Sequence, residues 1–220
     1  MELVEAIRAR KSIRAYKPDP VPKDVIRQIL EVARRAPSAM NTQPWEFTVV
    51  SGEVLEAIRR DNIARLEAGT PPQMEVARGP YADRYRERQT ALGRQLFELL
   101  GISREDREKR REWTKQGFAF FGAPVAIIIT TDRDMTASAQ FDLGAVTLAI
   151  ALLALEHGLG TCIMGQGIMY PDVVRQHTGI PESKTISICL TLGYPDWSHP
   201  ANQLQSERDP LDSITTWCGF

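Results

Sequence analysis

The run VAIIIT, residues 125–130, decides how this chain is read. Valine, three isoleucines and a threonine make it β-branched at all but one position, and the GAP before it supplies a break, so it reads as a strand. A strand with one wet face alternates apolar and polar residues. This one does not, so both of its faces must be dry. ISICLTLG (186–193) has the same character and FTVV (47–50) supplies a third strand. The expectation is a sheet covered by helices on both sides, α/β or α+β in layers.

Working outward, residues 2–10 read as a short helix and 21–36 as a second. Pro22 suits its first turn, Val25, Ile26, Ile29, Leu30, Val32 and Ala33 take core-facing spacing, and Pro37 stops it. AVTLAIALLAL (145–155) is eleven apolar residues where a bilayer span takes roughly 20, so it reads as the buried helix of a soluble protein. Between 52 and 122 lies a mostly helical stretch of mixed charge, broken by GTPP and RGP, which reads as a solvated helical cover. The 220 residues suit one domain with a sizeable core.

The 27 basic and 28 acidic side chains nearly cancel, leaving no chain-wide field to hold nucleic acid or an anionic membrane. Cys162, Cys189 and Cys218 are too few and too far apart for a paired disulfide framework or a CxxC motif, which fits a reducing cytoplasm. The opening MELVEAIRARK contains acidic residues and lacks an apolar h-region, so it does not read as a signal peptide.

Against that neutral background, IRARKSIRAY (7–16) places Arg8, Arg10, Lys11 and Arg14 around Ser12. If the chain is extended after the first helix, Arg10, Ser12 and Arg14 point the same way and converge as a phosphate-sized clamp. A solvated helix end is the alternative. APSAMNTQPWEF (36–47) packs Ser38, Asn41, Thr42 and Gln43 between prolines, offering donors and acceptors that could read a heterocycle; an ordinary helix-to-strand connection is the alternative. HGLGTCIMGQG (157–167) is not a Rossmann fingerprint, because it follows a helix and has Ile163 where the third glycine belongs. It reads either as a backbone-exposing loop for a flat ligand or as a Gly158 cap followed by a buried strand. His157, His177 and His199 share no metal-ligand spacing, and no GxSxG elbow points to hydrolysis.

Taken together, these segments resemble the nitroreductase family of FMN-dependent oxidoreductases. RARKSIRAY is similar to its N-terminal phosphate motif, APSAMNTQPWEFTVV to its most characteristic loop and strand, GAVTLAIALLALEHGLGTC to its central helix and following strand, and LTLGYPD to its last core strand. YRERQTALGRQLFELLGISRED with NQLQSERDPLD resembles a nitrobenzoate-reductase-like branch. The resemblance implies an α+β fold, a three-layer sandwich with a central mixed β-sheet covered by helices. It also implies one domain over 1–220, a helical insert or lid at about 60–117 and a C-terminal extension at about 198–220. The assembly implied is an intertwined homodimer with FMN at the subunit interface.

Carried over residue by residue, Arg10, Ser12 and Arg14 hold the phosphate and ribityl chain and Arg208 completes the clamp. Lys11 belongs to the same motif, with plain solvation as its alternative, and Arg8 pairs elsewhere. Pro37, Ser38, Asn41 and Gln43 come from the partner subunit. Ile163, Met164 and Gly165 lie along the ring, with a backbone N–H near flavin N5. No catalytic side chain is required, since the flavin carries the hydride. The implied activity is a cytoplasmic oxidoreductase that takes hydride from NADH or NADPH and reduces a nitroaromatic or quinone by a ping-pong mechanism. Ene reduction, reductive dehalogenation and a non-catalytic flavin-binding dimer are the alternatives. Tyr81, Tyr85, Phe97, Trp113 and Phe118 are lid candidates, with plain core as their alternative. The Glu, Tyr and Lys lid of the related iodotyrosine deiodinases has no convincing equivalent.

Overall fold

The structure is a computed structural model describing residues 1–76, 79–135 and 137–220. Arg78, part of the expected RGP break, lies outside the described residues. The chain runs α1 (Leu3–Ala9), α2 (Lys23–Ala33), β1 (Glu46–Ser51), α3 (Gly52–Glu67), α4 (Asp83–Leu99), α5 (Arg107–Phe118), β2 (Val125–Asp132), α6 (Ala137–Glu156), β3 (Gly160–Met164), α7 (Pro171–Thr178) and β4 (Lys184–Gly193). The sheet order is β1-β2-β4-β3, with antiparallel pairing at each step. Among the described residues, the mixed character expected of the sheet is confined to one isolated parallel bridge, Ser12 to Thr161, at its β3 edge.

The continuous run in β2 is explained by the two cores. Val125, Ile127 and Ile129 pack under α2 and α6 on one face, while Ala126 and Ile128 pack on the other with Leu55, Ile58, Val173 and Val174 of α3 and α7. Both faces are dry, and the side-chain period of two divides the run between them. In β4, Leu190 and Leu192 join the first core and Ile186 and Cys189 the second. That parity flips because Ile188 pairs with Ile129 but Ile186 with Thr130, so Ser187 is the extra residue of a β-bulge.

Helix α2 is shorter than expected. Pro22 caps it rather than entering its first turn, and Arg34–Ala36 form turns because Ala36 precedes Pro37 and is steered away from helical ψ. Val32, expected in the core, is 54% exposed, and Ile26, Ile29 and Ala33 carry the buried stripe. Helix α6, at 20 residues, extends well beyond the apolar run and is long and apolar enough to span a bilayer by length and composition alone. Instead, Leu143, Val146, Ile150 and Ala154 pack it against the sheet as a core helix. Gly158, at φ 67°, caps its end and turns the chain into β3.

Candidate active site

After α1, residues 10–16 run along the open β3 edge. Ile13 donates its N–H to the Thr161 carbonyl at 2.9 Å, and Asn202, fully buried, accepts the Arg14 N–H at 2.7 Å. Asn202 also donates to the Ala15 and Asp196 carbonyls, so one amide ties this segment to the chain after β4. Arg10, Ser12 and Arg14 all come within reach of the Cys162 thiol. The basic side chains line cavities along the sheet edge, Arg10 and Lys11 on one side and Arg14 on another.

The first cavity, about 580 Å³, is lined by Arg8, Arg10, Lys11, Gln205, Ser206 and Arg208. No carboxylate lines it, and among the described residues none of its four cations forms a salt bridge with one. Partial burial lowers the Lys11 pKa, and Arg8, though exposed, lines the same cavity. Arg208 is braced from behind: one of its guanidinium nitrogens donates to the Ser206 carbonyl and hydroxyl and to the Glu207 carbonyl at 2.8–2.9 Å. Four like charges around a space without a counter-charge make that space electropositive, which favours an anion there.

The second cavity, about 630 Å³, takes Arg14 as its one charged side chain among the described residues. Cys162, Ile163, Met164, Gly165 and Gln166 of β3 and the following turn form one wall, and Pro72, Gln73 and Met74 another. Its thioethers, Met74, Met164 and Met169, are polarisable and adapt to flat aromatic faces. Burial pushes the Cys162 thiol pKa up, against the pull of Arg14, the Ser12 hydroxyl and Arg10, which places that thiol beside the basic segment. Ile163 is the exposed residue of an otherwise buried β3, and a Cβ on Gly165 would come within 3.0 Å of Met74 Cε. The reading of a Gly158 cap followed by a mostly buried strand therefore holds.

The loop 37–43 lines neither cavity of its own chain. Met40, Asn41 and Gln43 take positive φ of 51°, 58° and 47°. Ser38 Oγ accepts the Gln43 N–H, Gln43 donates to the Asn41 carbonyl, and buried Asp142 of α6 accepts the Ala39 N–H. Among the lid candidates, Phe118 and Trp113 pack against Tyr170 and Phe121 as core, Tyr81 and Tyr85 are exposed, and Phe97 is covered by Arg110. None of the five lines the second cavity.

Asn202, Asp142 and the 70–75 segment escaped the sequence reading. Asn202 lay inside the C-terminal motif with no sign of burial, and Pro71–Pro72 read as a helix break rather than a cavity wall.

The nitroreductase family model matches residues 7–194 of this chain. The chain belongs to the nitroreductase family. Among its relatives, the 4-nitrobenzoate reductase of Nocardioides sp. (strain LMS-CY) is 34% identical over 217 residues, covering 96% of this chain and 87% of the relative. The FMN and NADPH-dependent nitroreductase NfnB of Sphigopyxis sp. strain HMH superposes with a TM-score of 0.96 at 33% identity, over the full length of both chains. The FMN-dependent NfnB of Mycobacterium smegmatis, solved with NADPH, gives 0.92 at 26% identity over 99% and 100% of the two chains. This nitroreductase thus sits with the nitrobenzoate-reductase-like branch that its helical insert and C-terminal motif suggested.

Proposed function

We propose that this nitroreductase is an FMN-dependent oxidoreductase that takes hydride from NAD(P)H and reduces nitroaromatic acceptors. The observation that carries this reading is the pairing of the two cavities along residues 10–14. A carboxylate-free basic cavity fits a phosphate, and beside it lies a thioether-lined cavity of the size and polarity that suit a flat ring. Arg10, Lys11 and Arg208 would take the phosphate, Ser12 the ribityl chain, and Ile163, Met164 and Gly165 the ring. Arg14, facing the ring-side cavity, would supply positive charge to the flavin's pyrimidine edge rather than to the phosphate. FMN, when bound, supplies the hydride-accepting chemistry. The protein's part is to hold it, balance its charge and offer the acceptor a dry, polarisable face.

Homodimerisation is part of the proposal. Leu3, Val4 and Ile7 of α1 and Phe141 and Leu148 of α6 are exposed on two helices that pack together, and α4 buries no residue in its own chain. Burying large apolar side chains gives about 1.5–3 kcal/mol each, enough to drive association of two copies. The exposed 37–43 loop would then bring Pro37, Ser38, Asn41 and Gln43 to the partner's flavin. Residues about 60–117 would roof the acceptor site, and the extension from 198 onward would carry Arg208 to the phosphate.

The test is direct: purify the protein, identify the released chromophore, and measure turnover with NADH and NADPH over nitroaromatic, quinone, enone and halophenol acceptors. FMN release and nitroaromatic reduction are expected. A protein that takes up no FMN, or one that holds FMN but turns nothing over, refutes the reading.

A further inference from the structure

The wall of the ring-side cavity opposite β3 has no regular secondary structure, yet it is strapped down along its length. Pro71 and Pro72 stiffen it, the Tyr170 hydroxyl donates to the Thr70 carbonyl at 2.8 Å, and the Gln73 N–H donates to the Met169 carbonyl at 2.9 Å. Its far end is fixed by one side chain. Glu75, 13% exposed, accepts hydrogen bonds from Arg133 at 2.7 Å, from Arg175 at 2.8 Å on both oxygens, and from the Ile186 N–H at 2.6 Å. Arg175, 10% exposed, is itself held by the Ile180, Pro181 and Lys184 carbonyls. Glu75 touches neither cavity, but the two residues before it, Gln73 and Met74, line the ring-side one.

We propose that Glu75 is a positioning residue for acceptor selection. Its clamp fixes Met74 and Gln73 across the cavity from Gly165 and so sets the width of the slot that an aromatic acceptor enters. This rests on the oxidoreductase reading above and adds to it which residues decide the acceptor. The phosphate clamp lies on other elements, so the strap contributes nothing to the anion side of FMN binding. A charged cluster that shares no residue with the basic cavity, built on a loop whose neighbours line the reaction cavity, has a job that packing alone does not explain. An apolar contact would hold the loop near the sheet, but four directed bonds to one carboxylate hold it in one register.

Glu75→Gln is a stringent probe of nearly equal size. All three groups around the carboxylate are donors, so the amide NH2 meets a donor whichever way it turns. In the FMN-loaded protein, the ratio of kcat/KM for nitrobenzene to that for trinitrotoluene should shift about fivefold or more, with FMN Kd within about twofold of wild type. Met74→Ala should shift the same ratio, and the double variant should change it by less than the product of the two single effects, because Glu75 acts through Met74. Hydrogen exchange at the Gln73 amide should be faster in Glu75→Gln. An unchanged acceptor ratio in an enzyme that turns over, unchanged exchange at Gln73, or independent multiplication of the two effects overturns the inference and leaves the oxidoreductase reading standing. A wild-type protein that binds FMN but reduces no acceptor overturns the oxidoreductase reading, and the acceptor role with it.

Discussion

Removing the Arg208 guanidinium is the sharpest test of the anion site. Ser206 and Glu207 already occupy one of its nitrogens, so its side-chain entropy is largely spent before an anion arrives and the rest of its planar fork is free to bind. A charge-assisted hydrogen bond of this kind contributes about 1.5–3 kcal/mol, which is roughly ten- to a hundredfold in Kd. Arg208→Ala should weaken FMN by that factor, and Arg10→Ala similarly. Arg208→Lys should recover only part, because an ammonium cannot grip two phosphate oxygens in one plane. Arg8 lines the same cavity but is exposed, so Arg8→Ala should cost only about 0.2–1 kcal/mol, the range of solvent-screened pairs. The assay is quenching of FMN fluorescence on titration with apoprotein at low and high salt. Wild-type affinity should fall with salt more steeply than that of the variants, since each removed cation also removes its screened attraction. If Arg10→Ala and Arg208→Ala both bind FMN within about twofold of wild type, the basic cavity is not the phosphate site.

Three further outcomes follow from the same geometry. If one ring-side cavity serves reductant and acceptor in turn, double-reciprocal plots at several acceptor concentrations should be parallel, and intersecting lines would require both substrates bound at once. Burial raises the Glu75 pKa, but the Ile186 N–H, Arg175 and Arg133 outweigh it and hold the carboxyl below the usual glutamate range. Its stabilisation is therefore present above the unfolded pKa of about 4.3 and lost as pH falls through the lower folded value. Urea midpoints of wild type and Glu75→Gln should differ at neutral pH and draw together in acid, and a constant gap would contradict the clamp. Refolding an Arg10→Ala, Arg208→Ala chain together with a Ser38→Ala, Asn41→Ala chain should return about one good FMN site per mixed dimer, because every lesion falls in one site. Recovery of none would place the loop and the clamp in the same subunit's site.

The sheet was legible because its runs had no polar alternative: VAIIIT is dry on both faces, and its period divides it between two cores. Helix ends were less legible. Val32 fits the apolar spacing of α2 but sits just off the buried stripe, and nothing local to it reports that. The basic segment was legible in composition, and Arg10, Ser12 and Arg14 share the neighbourhood of the Cys162 thiol, but nothing local reports that Arg14 lines one cavity while Arg10 lines another. The Glu75 cluster could not be read at all, because its arginines lie 58 and 100 residues away and each alone looks like surface charge.

The loop 36–47 shows why the most specific motif in the sequence is the least explained by its own chain. Three non-glycine residues in left-handed backbone carry strain, at about 1–3 kcal/mol each for sparsely populated conformations. That strain is held in place by Asp142 at Ala39 and by Ser38 at Gln43. Packing gives no reason for it, since Met40 is 96% exposed and Asn41, Thr42 and Gln43 also face solvent. A loop relaxed against its own core would shed such strain by substitution to glycine. Keeping Asn41 and Gln43 there, with a buried carboxylate bracing the approach, makes sense where their side chains meet a ligand that this chain does not reach. The proposed dimer supplies that ligand in the partner's flavin. On that account Asp142→Ala, which frees Ala39 but leaves Ser38, Asn41 and Gln43 in place, should weaken FMN binding without touching any basic residue. Unchanged FMN affinity in a folded Asp142→Ala protein would mean that the loop's shape serves its own chain after all.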